Sequence, residues 1–523
     1  MQAEQLLENS ARGAEHRTAL IVEDHRMTYG DVDRQSNRMA RALIGAGVKR
    51  GDRVVICMEN SGEAVVSIFA VLKAGAVFVV VSPTARPERL RDIVRDCDAM
   101  AIAMQAPQFD SIQRYLREVS VKAIFVDGRM ADPRIPGISG IQVSAIGEIL
   151  HSTTIDPGPL PKRAIDIDLA ALLYTSGSTG KPKGVMLTHL NIVSMATSIA
   201  AYLENTSDDI ILSVLPISHG YGLYQILTAF KVGATVILER GFRYPAAVLD
   251  RMQREKVTGF PLIPAISSVL LRMDLAHWDL STLRYITNAG EAFPLRHISS
   301  LRELLPTVRL YPMYGLTECQ RVSYLPPEQV DIRPNSVGRG IPNQETFIVD
   351  GLGNRVGPGV TGELVVRGSN VMKGYWRMSE ETDRVLKPGP SSWEKVLYTG
   401  DLFRMDEEGY LYFVGRKDYI FKCRGEKVNP REVEAVLYSL SGVAEVVVLG
   451  VTDEILGDAI KAIIVIEEGV GLTENDVLRH CADHLEDFMR PRRIEFRERL
   501  PRTANGKIAR RELAETAEEL EVL

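Results

Sequence analysis

Leu172 to Leu190 reads LLYTSGSTGKPKGVMLTHL. An apolar run suited to a buried strand ends at Thr175, and Ser, Thr and Gly follow. Then come two lysines and a second apolar run. Small residues let the backbone approach an anion, so that consecutive N–H groups and hydroxyls can surround phosphate oxygens. Lys181 and Lys183 add positive charge. The segment is not a Walker A loop, GxxxxGK[ST]. Thr175 stands at the first Gly position and Pro182 follows the lysine, so no hydroxyl is placed to hold magnesium as in that motif. A plain surface turn does not require so long a run of small polar residues after a buried strand. The stretch therefore reads as a phosphate-binding loop at the end of a sheet strand.

Outward from this loop, apolar β-rich runs alternate with helical patterns between about residues 50 and 320. VVICM (54–58), VFVVV (77–81), ALLYT (171–175), ILSVLP (211–216), ATVIL (234–238) and LRYITNAG (283–290) read as buried strands, and NIVSMATSIAAYL (191–203) as a helix. Such alternation implies parallel sheets covered by helices, and its length calls for more than one sheet. AVVSIFAVLKAGAVFVVV (64–81) is long enough to raise the question of a membrane span. Lys73 and Gly75 divide it into a buried helix and a buried strand, so no span is expected. After about residue 330 the texture changes. ETFIVDGLGNRVGPGVTGELVVRG (345–368) suggests a small antiparallel β unit. Beyond Arg416, helical and strand patterns alternate in a tail long enough for a separate α+β domain. The final AETAEELEVL is expected to be a solvated helix or a frayed end.

Composition sets the class. The chain has 523 residues, 45% hydrophobic and 25% charged, close to the soluble average. Its net charge of −6 lacks the basic footprint of a nucleic-acid binder. Cys57, Cys97, Cys319, Cys423 and Cys481 are odd in number and include no CxxC pair. A disulfide framework or structural zinc site is not expected, and a reducing cytoplasm is. The first twenty residues contain no apolar signal region, so the Asn205-Thr206-Ser207 sequon reads as chance.

With these motifs in place, the chain resembles the adenylate-forming superfamily: acyl- and aryl-CoA synthetases, peptide-synthetase adenylation domains and beetle luciferase. It looks most like the AMP-forming acyl-CoA ligases. YTSGSTGKPKGV matches the signature loop. NAGEA (288–292), MYGLTE (313–318), GELVVRG (362–368), YTGDL (398–402), GRKDYIFKCRGEKVNP (415–430) and PRTANGK (501–507) follow in order. The resemblance implies an α/β fold with a large N-terminal domain, 1–417, built of parallel α/β sheets with a small β-barrel-like subdomain at about 331–417. A small α+β C-terminal domain, 418–523, would rotate on a hinge at Asp418.

The resemblance also implies roles. Thr175, Ser176, Gly177, Ser178, Thr179, Gly180 and Lys183 would cradle the β- and γ-phosphates of ATP. Thr317 would bond the α-phosphate, and Glu318 would bind Mg²⁺ through oxygen, as a hard cation prefers. Tyr314 would stack on adenine in a pocket lined by Gly290, Glu291 and Ala292. Asp401 would accept bonds from the ribose hydroxyls, and Arg416 would contact ribose or phosphate. Lys507 would bridge the attacking carboxylate and the α-phosphate as charge develops. After rotation, the face carrying Lys422 and Gly425 would serve thiol transfer.

LPISHGYGLYQ (215–225) is expected to form the entrance of the acyl pocket, with His219 as a gate beside the thiol channel. Amino-acid-activating members usually carry an Asp two residues before the Gly of a comparable stretch. Here Gly220 stands there, so a substrate ammonium would be buried without a counter-charge. The expected reaction joins a small fatty, branched or aryl carboxylic acid, ATP and CoA through an acyl-adenylate. A standalone enzyme loading the phosphopantetheine thiol of an acyl-carrier protein is the alternative. A non-catalytic nucleotide-binding regulator would not require Lys507, and a luciferase-like oxygenase cannot be separated by sequence.

Overall fold

The computed structural model describes residues 1–128, 140–176, 182–419, 421–423, 426–453, 457–467, 469–502, 508–510 and 512–514. The chain divides into two compact units. One comprises Met1–Thr346 with Val366–Tyr398, and the other Phe347–Val365 with Thr399–Leu523.

Two sheets build the first unit. One runs, in spatial order, Gln142–Ala145, Ala123–Asp127, Ala99–Gln105, Arg53–Cys57, Val77–Val80, Leu169–Ser176 and Pro182–Thr188. Its strands are parallel up to the last, which returns antiparallel as a hairpin. The other is nine-stranded, in the order Arg339–Gly340, Ser323–Tyr324, Arg309–Tyr314, Tyr285–Asn288, Gly259–Leu262, Ile210–Ser213, Thr235–Leu238, Thr18–Val22 and His25–Thr28. Its six central strands are parallel, and antiparallel strands flank them. The apolar runs read from the sequence are the strands of these sheets, and 191–203 falls in the helix His189–Tyr202.

The long apolar stretch behaves as its interruption requires. Ser61 caps the helix Gly62–Lys73 by accepting from the Ala64 N–H at 3.1 Å. Gly75 ends it at φ +74°, the left-handed conformation of a Schellman turn, with Ala76 N–H donating to Val71 O and Gly75 N–H to Leu72 O. Val77–Val80 then enters the sheet. Lys73 is buried at 4% exposure because the neighbouring helix Tyr29–Gly45 satisfies it. Its ammonium donates to Asp33 Oδ1 at 2.7 Å, Ser36 Oγ at 2.7 Å and Asn37 Oδ1 at 2.8 Å. Among the described residues no helix is long and apolar enough to cross a membrane. All five cysteines are free and buried. Asn205 of the sequon donates to the Tyr285 hydroxyl at 3.0 Å.

A further sheet contains Gln344–Val349, Gly362–Gly368, Leu386–Pro388, Lys395–Met405 and Leu411–Arg416. The second unit also holds the α+β tail. Glu426–Val428, Phe421–Cys423, Gly457–Ile466, Val443–Asp453 and Arg493–Phe496 form one sheet. The helices Pro430–Ser439 and Glu474–His484 bury Val433, Leu437, Val477 and Cys481 in a core with Val446, Val448, Ile460 and Ile464. Residues 515–523, expected as a frayed end, lie outside the described residues.

Two buried histidines make the fold acid-sensitive. His189 accepts from the Ala3 N–H through Nδ1 at 3.0 Å, and burial lowers its pKa to about 4. His297 lies 2.9 Å from Ser267 Oγ, and burial, then the Arg296 charge, lowers its pKa to about 4. Each is neutral when folded and protonates near 6.5 when unfolded, so unfolding takes up protons below that pH. The buried Glu4 carboxyl, whose pKa is raised chiefly by burial, acts in the opposite sense. Stability is expected to hold above the unfolded histidine value and fall as pH drops from there toward 4. His297→Leu should flatten that decline by about one proton in denaturation midpoints measured against pH. An unchanged slope would show that His297 does not contribute.

Candidate active site

The signature loop sits at the tip of a hairpin. Leu169–Ser176 pairs with Pro182–Thr188 until Thr175 faces Lys183 and Ser176 faces Pro182. Buried Ala170, Ala171, Leu172 and Leu173 anchor the outgoing strand. Thr175 and Lys183 are half-buried, at the base of the loop. Gly177, Ser178, Thr179 and Gly180 lie outside the described residues, as does the side chain of Ser176.

Thr317 and Glu318 lie in a turn after the strand Arg309–Tyr314 of the other sheet. Gly315 is required there: a Cβ at this position would stand 2.0 Å from the Gln320 carbonyl oxygen. Gln320 closes the turn, donating its N–H to Leu316 O at 2.6 Å and its Nε2 to Thr317 O at 2.8 Å.

Residues 371–376, VMKGYW, join the turn to the hairpin. Met372 N–H donates to Glu318 O at 2.8 Å, Lys373 N–H to Met186 O at 2.9 Å, and Trp376 N–H to Gly184 O at 2.7 Å. The Tyr375 hydroxyl donates to Glu318 Oε1 at 2.7 Å, and Lys183 Nζ lies 5.1 Å from the Tyr375 ring centroid. One side chain thus spans the loop lysine and the turn carboxylate. Sequence reading missed Tyr375. Its available signal was the Gly374-Tyr375-Trp376 triplet just beyond GELVVRG, with Gly374 at φ +129°.

NAGEA follows the strand Tyr285–Asn288, which runs parallel to Arg309–Tyr314 with Asn288 opposite Pro312. Gly290, Glu291, Ala292 and Tyr314 are therefore near neighbours at the carboxyl edge of one sheet, where α/β folds take ligands. Glu291 and Tyr314 are half-buried and Ala292 is exposed. Asn60 fixes the approach to the acyl entrance, donating to Leu215 O at 3.0 Å and accepting from Ile217 N–H at 3.0 Å. His219 occupies the N-cap position of the helix Gly220–Val232 and is half-buried. A Cβ on Gly220 would lie 1.9 Å from Gln320 Oε1, so the Gln320 amide occupies the space an Asp there would need.

In the second unit, Asp401 is buried at 5% exposure and lies opposite Arg416 on adjacent strands, with Arg416 Nε 3.4 Å from Oδ1. The Gly400 N–H donates to Glu363 Oε1 at 3.0 Å, and Lys417 Nζ reaches the same carboxylate at 3.3 Å. Gly425 and Lys507 lie outside the described residues, as do the side chains of Lys422 and Asp418.

Among the described residues no cluster of three or more His, Cys, Asp or Glu could hold a metal. A single half-buried carboxylate, Glu318, beside a phosphate loop suits Mg²⁺, which commonly binds one or two carboxylates together with substrate phosphates.

Residues 7–376 match the AMP-binding enzyme family, and residues 432–507 match the AMP-binding enzyme C-terminal domain. A long-chain-fatty-acid–CoA ligase of Bacillus subtilis (strain 168) is 31% identical over 531 residues, covering 98% of this chain and 93% of that protein. The anthranilate CoA ligase AuaEII, solved with anthranoyl-AMP, superposes with a TM-score of 0.88 at 27% identity, covering 100% of this chain and 98% of that one. ATP-bound MatB from Rhodopseudomonas palustris gives a TM-score of 0.88 at 25% identity, covering 99% and 100%. The chain belongs to the AMP-binding enzyme family and is an AMP-forming acid–CoA ligase.

Proposed function

We propose that this ligase activates a carboxylic acid lacking a neighbouring amino group, using MgATP, and passes the acyl group to CoA by alternating two faces of its tail. The observation that carries the site assignment is the Lys183–Tyr375–Glu318 arrangement, which joins a phosphate loop to a lone carboxylate.

The first step is displacement at phosphorus. A carboxylate oxygen of the acid attacks the α-phosphorus of ATP, the bond to the bridging oxygen breaks, and pyrophosphate leaves. Such a reaction needs positioning and charge compensation more than covalent help from the protein. Thr175, Ser176, Gly177, Ser178, Thr179, Gly180 and Lys183 hold the leaving phosphates, and Thr317 the α-phosphate. Glu318 holds Mg²⁺, which supplies charge neutralisation when bound. Tyr314, Gly290, Glu291 and Ala292 receive adenine, Asp401 and Arg416 receive ribose, and Lys507 meets the charge shared by carboxylate and phosphate. In the second step the thiol sulfur attacks the acyl carbon and AMP leaves. His219 gates the thiol, and Lys422 and Gly425 face this step after movement at the 417/418 boundary. The acceptor is CoA; a carrier-protein phosphopantetheine offers the same thiol and is compared in the same assay. The five buried free thiols support a cytoplasmic site of action.

Gly220 supports the exclusion of amino acids, because no anion is available at that position and Gln320 fills the space. Fatty, branched or aryl acids should exceed amino acids by at least about tenfold in kcat/KM for pyrophosphate release. A strongest response to an α- or β-amino acid would contradict the assignment.

Glu318→Gln keeps shape but removes charge, and should depress adenylation most at limiting Mg²⁺. Tyr375→Phe, which leaves that carboxylate without its hydroxyl donor, should raise the Mg²⁺ requirement more modestly. Titration of pyrophosphate release against Mg²⁺ reads both. Wild-type titration curves for both variants would remove Glu318 from the metal site.

The half-reactions are separable. Lys507→Ala should lose roughly two orders of magnitude in adenylate formation while still converting supplied acyl-adenylate to thioester. Lys422→Ala should show the reverse bias, and Asp418→Pro, which fixes φ, should impair thioester formation more than adenylation. Rapid-quench measurement of each step decides this, and equal loss of both steps in Lys507→Ala and Asp418→Pro would refute the division.

A further inference from the structure

Three residues after Glu318 the chain places a cation inside the protein. Arg321 is only 5% exposed, yet no ion pair joins it to a carboxylate among the described residues. Its guanidinium carbon lies 5.0 Å from the centroid of the Tyr221 ring, and it interacts with the Tyr202 hydroxyl, whose own proton goes to Met313 Sδ at 3.1 Å. Nε is buried with no hydrogen-bond partner among the described residues. A guanidinium carries five donors, and burying one without an anion costs several kcal/mol unless something repays it. An aromatic face and one phenol compensate only in part.

The surroundings say what the partner should be. Tyr221 belongs to the first turn of the helix that His219 and Gly220 open, and its hydroxyl lies 2.8 Å from Thr287 Oγ1, at the end of the strand leading into NAGEA. Gln320, the preceding residue, fills the space beside Gly220. The guanidinium is thus held where the acyl entrance, the Thr317–Gln320 turn and the adenine-side strand converge. A planar fork of N–H groups in such a place matches a carboxylate bidentately, and Arg is less strongly hydrated than Lys.

We infer that Arg321 is a specificity-determining residue that binds a second anionic group on the acid, so that the substrate is a dicarboxylic acid activated at one end. This deepens the acid–CoA ligase reading and rests on it. One carboxylate of the substrate attacks ATP, and the other pairs with Arg321 at the far end of the acyl chain or ring. A monoacid of the same length would leave the guanidinium buried and unpaired, which penalises it relative to the dianion.

The test is pyrophosphate release, with CoA present, over matched pairs: straight-chain monoacids against α,ω-dicarboxylates of equal length, and benzoate against ring analogues bearing a second carboxylate. The wild-type enzyme is expected to favour the dicarboxylate of at least one pair by about tenfold or more in kcat/KM. Arg321→Met should shift that ratio by at least about tenfold toward the monoacid, and Arg321→Lys should retain part of the preference. The wild-type arm depends on no variant folding. A wild-type preference for the monoacid in every pair would overturn the inference while leaving the ligase reading intact. An equal loss for both members in Arg321→Met would also overturn it, because Arg321 would then serve the shared carboxylate. No release from any acid would overturn the ligase reading, and this inference with it.

Discussion

The hydrogen bond from the Tyr375 hydroxyl to Glu318 fixes the distance between two elements that arise on different sheets. The hairpin of Leu169–Ser176 and Pro182–Thr188 belongs to the seven-stranded sheet, and the Thr317–Glu318 turn leaves a strand of the nine-stranded one. Neither sheet alone determines where a cation and a carboxylate stand relative to each other. The short run 371–376 does so, with backbone bonds to Gly184, Met186 and Glu318 and with the Tyr375 side chain between Lys183 and Glu318. Chemistry that depends on holding a polyanion in line needs such fixed spacing, because misplaced charge compensation loses most of its effect.

The same molecule shows two ways of placing a cation out of water. Lys73 is surrounded by oxygen acceptors from one helix, including the Asp33 carboxylate, and its role is complete within the fold. Arg321 has an aromatic face and a phenol but, among the described residues, no carboxylate. Burial alone does not separate a structural charge from a binding one; the inventory of acceptors does.

The sheets were legible because buried parallel strands are continuous apolar runs, and Val54–Cys57, Val77–Val80 and Leu172–Thr175 read as such directly. Strand ends were less so: 283–290 contributes only Tyr285–Asn288, since the chain leaves the sheet at Ala289 and Gly290 to form the edge of the site. Motif order indicated the family and the residues of the turn and loop. It did not bring out Tyr375 or Arg321, which act through contacts with residues distant in sequence.

Five cysteine thiols enclosed in the interior have a practical consequence. Burial pushes the thiol pKa of Cys57 and Cys97 up to about 12 and that of Cys481 to about 11, so reagents that require an exposed thiolate find little to attack on the native protein. Colorimetric titration of the coenzyme's sulfhydryl during turnover therefore reports the acceptor and not the enzyme. A cysteine introduced on the surface would therefore take up a fluorophore selectively, without first stripping the native residues.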